Sequence, residues 1–354
     1  MNKTISYTYK KIFGALFALL FLTTSGQTFT RSKELIDKYL NEIEIGKPIE
    51  YKNMKLFPIQ VNQELSSKNY VTLDEASKKD WLTIKELSSA TVNTVEVKNN
   101  GKKPILLMTG EIIKGAKQDR MIKKDILLPP NKTWVQVPVF CVEHGRWNHV
   151  SPEFKSANTC VTGSVRKQAT LSECHNAQGA VWNEISKSQN KIGVSSSTGT
   201  MMANYQDENI QEKITDYTKN LKNFPGISEN TIGVVVTTGN KIICFDMFAN
   251  NKLLQKYWNK LLKSYSMDCI QSKKSTINQE NIENFINQIV VSEKKSAQTN
   301  GLGQVYKLES NLGKGSALVD RSSVVHMDFF LGKSNTSNSS PLNFEARRSN
   351  RLQD

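Results

Sequence analysis

Between Ile105 and Trp147 the chain gathers, in two short polar boxes, side chains suited to holding an anion or to nucleophilic chemistry. The first box, Gly110 to Arg120, carries Glu111, Lys117, Gln118 and Arg120; the second, Cys141 to Trp147, carries Cys141, Glu143, His144 and Arg146. Guanidinium forks match carboxylate or phosphate through two parallel hydrogen bonds, and a glutamine amide adds a directional donor. Lys117, Gln118, Arg120 and Arg146 are therefore the expected ligand contacts, with Gly110 and Gly115 permitting close backbone approach. A thiol among such cations would ionise below its free pKa of about 8.5. Cys141 is then a candidate nucleophile, with His144 as base and Glu143 orienting it, and Glu111 is the candidate acid or base. Each reading has a plainer counterpart. The charges balance locally and would also make an internal ion-pair cluster, and Cys141 would also serve as a small buried thiol or as half of a disulfide.

The boxes need strands to bring them together. Arg120–Leu128 and Trp134–Val142 are rich in β-branched and aliphatic residues, and Pro129-Pro130-Asn131-Lys132 between them has turn chemistry. A connection this short favours an antiparallel hairpin. With Leu128 facing Thr133, counting outward sets Arg120 opposite Cys141 and Gln118 near Glu143. Strand parity also puts Val135, Val137, Val139, Cys141 and Glu143 on one face. The expectation is a polar pocket at the open end of this hairpin, reachable from solvent.

The motifs G-E-x-x-x-G-A-K-Q-D-R and C-V-E-x-G-R-W, from Gly110 to Arg120 and Cys141 to Trp147, resemble those of the ARG and rhodanese-phosphatase-superfamily-associated protein family, a bacterial group. VWNEIS (from Val181), IGVVVTTGNKIICFDMF (from Ile232), KYWNKLLKSY (from Lys256) and SALV…VVHMDFF (from Ser316) follow in the family's order, so the resemblance runs from about Tyr51 to Phe330. The family's name implies an association with ADP-ribosylglycohydrolases, and hence an ADP-ribose-linked setting. The resemblance also draws attention to His326 on the late strand, which would share a face with Val324 and Asp328. A satisfied structural histidine is the plainer reading there.

The chain has 354 residues, a formal charge of +14 and 38% hydrophobic residues, enough for one large domain with a core. Such a balance invites anionic partners, but the basic pairs are scattered and no basic run interleaves with aromatics, so nucleic acid is not expected. Residues 1–26 read as a signal peptide: Lys3, Lys10 and Lys11, an apolar centre from Ile12 to Leu22, then Thr24-Ser25-Gly26. That centre falls short of the roughly 20 residues a membrane span needs. Export to the periplasm or beyond, with no membrane insertion after cleavage, is the expectation. In an oxidising compartment five cysteines allow two disulfides, of which Cys160–Cys174 is the most plausible. Metal-ligand spacing, P-loop and nucleophile-elbow patterns are missing, so neither metal nor cofactor is expected.

Along the chain, 27–50 is a helical lead-in, 51–331 one domain and 332–354 a polar tail expected to be disordered. Thr72–Leu82 reads as a helix capped by Thr72, with Asp74 and Glu75 in its first turn. Asn99-Asn100-Gly101 reads as a hairpin turn into Pro104–Met108, Ser151–Gly179 as a long loop, and Gly193–Gly199 as a linker. A second hairpin turns at Gly239-Asn240. Helices are expected over Gly179–Gln189, Asp207–Phe224, Leu253–Tyr265 and Ile277–Glu293, and late strands over Val305–Leu308 and Ser322–Phe330. This predicts an α+β fold, antiparallel hairpins forming a mixed sheet packed with several helices. The favoured function is binding of an anionic, phosphorylated or nucleotide-derived small molecule. The alternatives are a thiol or acid/base hydrolase of such a ligand and a structural envelope protein.

Overall fold

A computed structural model describes residues 31–87, 92–172 and 176–332. The expected signal peptide, Cys174, and the tail beyond Gly332 lie outside the described residues. The fold is α+β, with its strands divided among three sheets.

The largest sheet has nine strands, all antiparallel, and strand parity explains why it is covered on both sides. In Thr231–Thr238, Val234 and Val236 face one side and Val235 the other; in Lys241–Phe248, Cys244 and Phe248 oppose Phe245 and Met247. Helices 31–42 and Gln279–Val290 bury Ile36, Tyr39, Phe285 and Ile289 against one face. Helix Asn251–Cys269 buries Leu254, Tyr257, Leu261 and Tyr265 against the other. It starts where the Asn250 side chain accepts the Leu253 N–H.

The six-stranded sheet runs Phe154–Cys160, Glu111–Gly115, Arg120–Ile122, Trp134–Cys141, Thr94–Asn99, Leu82–Glu86. Beside it lies a three-stranded sheet of Ile126–Leu128, Ile105–Leu107 and Val71–Thr72, the last pair parallel. Val95, Val97, Ile105, Leu107, Ile113, Val137 and Val139 fill the space they share.

Several expectations hold. Thr72 caps helix Leu73–Lys78 in a full capping box with Glu75. The hairpin at Gly239 forms between Thr231–Thr238 and Lys241–Phe248. Others are corrected. The hairpin linking the polar boxes survives only in its outer part, where Arg120 pairs with Cys141 and Ile122 with Val139. Its inner half separates: Ile126–Leu128 joins Ile105–Leu107, and Trp134–Pro138 pairs with Thr94–Lys98. At the point of separation the Asp125 carboxylate accepts the Thr109 N–H at 2.8 Å and meets His326, contacts that tie the chain to the neighbouring sheets. Asn99–Gly101 is no hairpin turn, because Thr94–Asn99 already has partners on both edges. The long loop over 151–179 contains strand Phe154–Cys160 and helix Gly163–Leu171. A further strand, Gly313–Asp320, lies between the two expected late ones.

Candidate functional site

The two polar boxes meet as the register requires, but they meet inside the protein. Arg120 is 2% exposed and Cys141 0%. The Cys141 thiol donates toward Gln118 Oε1 at 3.2 Å and lies 3.1 Å from the Glu143 carbonyl oxygen. Arg120 Nη1 donates to the Gln118 backbone oxygen at 3.2 Å and to its Oε1 at 3.0 Å, and Nη2 lies 3.9 Å from Glu86. Gln118 spends its amide nitrogen on the Glu143 carbonyl, 2.9 Å away.

Arg146 is more fully committed. Its guanidinium reaches Glu143 Oε2 at 2.6 Å and Asp119 Oδ1 at 3.2 Å, and Nη1 donates to the Ala116 carbonyl at 2.8 Å. Glu143 also accepts from the Asp119 N–H and the Thr198 hydroxyl. Burial pushes the Glu143 carboxyl up, but Arg146, the Asp119 amide and Thr198 together hold it below the ordinary range. The segment expected to be a plain linker thus closes the box, with Gly145 N–H donating to the Thr198 carbonyl at 2.7 Å.

Two expectations fail on this geometry. The solvent-reachable pocket does not form at Arg120 and Cys141 among the described residues, because both are buried and paired within the cluster, while Lys117 and Arg146 stay half-buried. Nor is Cys141 an activated thiol, since burial pushes its pKa up and Arg120 only partly offsets that. His144 is exposed and its ring packs edge-on against Trp182, while the Glu143 carboxylate that was to orient it faces Arg146. Lys117 is half-buried, its ammonium 5.2 Å from the ring centre of Trp147, which is 52% exposed, and Lys114 is an exposed cation of the first box.

Glu111 points away from this cluster. Its Oε1 lies 2.5 Å from Lys260 Nζ, which also contacts Asp74, and its Oε2 accepts the Met108 N–H. Burial pushes the Glu111 carboxyl up to about 7, while Glu111 and Asp74 keep Lys260 charged despite its own burial. Cys160 is a free, fully buried thiol raised well above the usual thiol range by that burial.

His326 sits in a third assembly, at the seam between the large sheet and the smaller ones. Nδ1 lies 2.6 Å from Asp125 Oδ2 and Nε2 3.2 Å from Asp246 Oδ1. Arg166 grips Asp246 with both terminal nitrogens, at 2.9 and 2.5 Å, and reaches Asp328 at 3.2 Å. The Tyr265 hydroxyl donates to Asp246 Oδ2 at 2.5 Å. Burial alone would disfavour a charged imidazole, but Asp125 and Asp246 push its pKa up to about 10. Gly110 is required here, with φ +87° and a Cβ position only 2.8 Å from Arg166 Cγ and Cδ. Among the described residues no group of three or more His, Cys, Asp or Glu side chains is placed to hold a metal ion.

Sequence reasoning missed an open polar cleft of about 690 Å³ between helices Gly163–Leu171 and Ala177–Ile192, the Gly239 hairpin and the end of helix Asn251–Cys269. Among the described residues four lysines line it, Lys167, Lys187, Lys191 and Lys241, against two carboxyls, Glu184 and Asp268. Hydroxyls of Ser164, Ser188 and Thr238 share the wall with Ile242, Ile243 and Leu171. Lys187 pairs with Glu184 at 3.6 Å. Lys191 donates only to neutral oxygens, the Asp268 carbonyl and the Ser272 hydroxyl, both at 2.9 Å. Burial lowers the Lys191 pKa, Asp268 offsets part of that, and nearby Lys241 adds a smaller lowering.

A family model for the ARG and Rhodanese-Phosphatase-superfamily-associated Protein domain matches residues 42–330. No curated protein and no solved structure matches the chain.

Proposed function

The chain belongs to the ARG and Rhodanese-Phosphatase-superfamily-associated Protein domain family, and from that premise we propose that it binds an anionic small molecule in the lysine-lined cleft. One observation carries the reading: four lysines face two carboxyls across an open volume of about 690 Å³. That volume lies within the range of about 300–1,000 Å³ common to small-molecule sites. Unbalanced ammonium groups beside a low-dielectric wall attract anions strongly. The apolar side formed by Ile242, Ile243 and Leu171 suits a ligand with an organic body, such as a nucleotide-derived phosphate.

The chemistry expected at the boxes is thereby moved. Gln118, Arg120 and Arg146 become part of a polar cluster that joins Glu86, Ala116, Asp119 and Glu143 within the six-stranded sheet and its loops, and the ligand goes where cations exceed acids. The thiol-dependent version of the hydrolase alternative is disfavoured, because Cys141 is buried and its thiol form favoured. Export remains part of the proposal, resting on the leader-like residues 1–26; N-terminal sequencing of the mature protein would place the cleavage before Gln27.

The test is a thermal-shift screen of anionic metabolites, including pyrophosphate and ADP-ribose, on wild type and Lys241→Glu. The reading expects stabilisation of the wild type that rises with ligand concentration and is lost in the variant. A ligand that stabilises both proteins equally would place binding elsewhere.

A further inference from the structure

The cleft contains an acid in an unusual position. Asp268, near the end of helix Asn251–Cys269, lays its carboxylate at the first turn of helix Gly163–Leu171, where Oδ2 accepts the Ser164 N–H at 3.3 Å. The approach depends on a glycine: a Cβ on Gly163 would stand 3.1 Å from Asp268 Oδ2 and 2.6 Å from Ile243 Cγ2. The start of a helix offers amide donors and a partial positive charge to an anion. Here the protein's own carboxylate already takes that place, on the wall of a cleft whose other charges are mostly positive.

We infer that Asp268 is an internal counter-ion that sets the affinity of the cleft, so that an incoming anion binds together with a proton taken up by this carboxyl. The inference rests on the anion-binding reading and deepens it. An ionised Asp268 repels a second negative charge at close range; a protonated one donates a hydrogen bond to it and leaves Glu184 as the cleft's one described anionic side chain. By linkage, whatever makes the proton bind more tightly with the anion present makes the anion bind more tightly at low pH.

The surroundings favour titration of this carboxyl near neutrality. Burial pushes Asp268 up to about 6, against the Ser164 and Gly163 donors and Lys191, which pull it down. From helix Ala177–Ile192 it faces Lys191, with Lys187 and Glu184 further along the wall, and from the Gly239 hairpin it faces Lys241. Lys167 joins from its own turn of helix Gly163–Leu171. The nearby Cys244, Cys269 and Tyr205 are raised by burial and stay neutral across the same interval. Among the described residues lining the cleft, Lys191, whose pKa burial lowers, is the other group with a shift that could tie binding to pH, and a variant of Asp268 separates the two.

The probe is sulfate, whose charge is constant between pH 5 and 8, titrated calorimetrically into wild type and Asp268→Asn at pH 5, 6.5 and 8. The expected result is wild-type affinity rising by roughly tenfold or more from pH 8 to pH 5, with Asp268→Asn tight and flat throughout. Wild-type titrations at pH 7 in two buffers of different ionisation enthalpy should also show proton uptake, a readout that survives if the variant does not fold. Wild-type binding that is independent of pH and takes up no proton would overturn the inference and leave the anion-binding reading standing. A pH dependence that persists in Asp268→Asn would overturn it in favour of Lys191. Absence of sulfate binding by both proteins at every pH would overturn the inference and the reading together.

Discussion

Arg166 and Lys167 are neighbours on one turn of a helix, and they serve opposite ends. Arg166 enters a dry interior, where Asp246 and Asp328 meet it and His326, Asp125 and Tyr265 complete the set. Lys167 faces the cleft, where lysines outnumber acids. A charge taken out of water needs close partners, and the two terminal nitrogens of Arg166 are spent on these carboxylates, while its Nε is buried without a hydrogen-bond partner. Where cations exceed anions around an open volume, the balance must come from outside. The polar boxes, for all their reactive residue types, belong with Arg166 rather than with Lys167.

This contrast is open to attack first at the interior. Arg166→Met strands two buried carboxylates, and the cost should be about 3–5 kcal/mol by urea denaturation, enough to threaten folding. A loss below about 1 kcal/mol would mean that the network is not what holds the seam. The same network makes a pH prediction. His326 is raised from 6.5 to about 10 in the folded protein, so its contribution is complete below about pH 6.5 and is lost as pH climbs toward 10. The urea midpoint should therefore fall between pH 7 and pH 9.5, and that fall should flatten in His326→Gln. A midpoint that rises over this interval would contradict a charged imidazole.

At the boxes the effect should be intermediate. Arg146→Ala removes the partner of Glu143 and Asp119, both largely buried, and should lower stability by about 2–3 kcal/mol without changing the affinity of an anion in the cleft. Loss of affinity at unchanged stability would return the ligand to the boxes.

Part of this was legible in the sequence. Strand parity alone set Arg120 opposite Cys141, because pairing over a short stretch depends only on counting. What counting could not disclose is the cover. Thr198, Gln178 and Trp182 arrive from other elements to close the box, and nothing in Gly193–Gly199 marks it as a clasp. The interior network left a faint signal in single charges stranded in apolar runs: Asp246 in KIICFDMF, Asp328 beside His326, Lys260 among the leucines of its helix. Such a residue must find a buried partner, but the sequence does not say which. The cleft left no signal. Its lysines come from two helices and a hairpin spread over residues 167 to 241, and each reads locally as ordinary surface charge.

The central claim is that excess charge, not reactive residue type, marks the binding site, and two single lysines decide it. Lys241 lines the cleft and Lys117 is a half-buried cation of the boxes, beside Trp147. Calorimetric titration of pyrophosphate into Lys241→Ala and Lys117→Ala at pH 6 should show affinity reduced about tenfold in the first, roughly 1.4 kcal/mol, and unchanged in the second. The reverse pattern, affinity lost with Lys117 and kept with Lys241, would contradict the account.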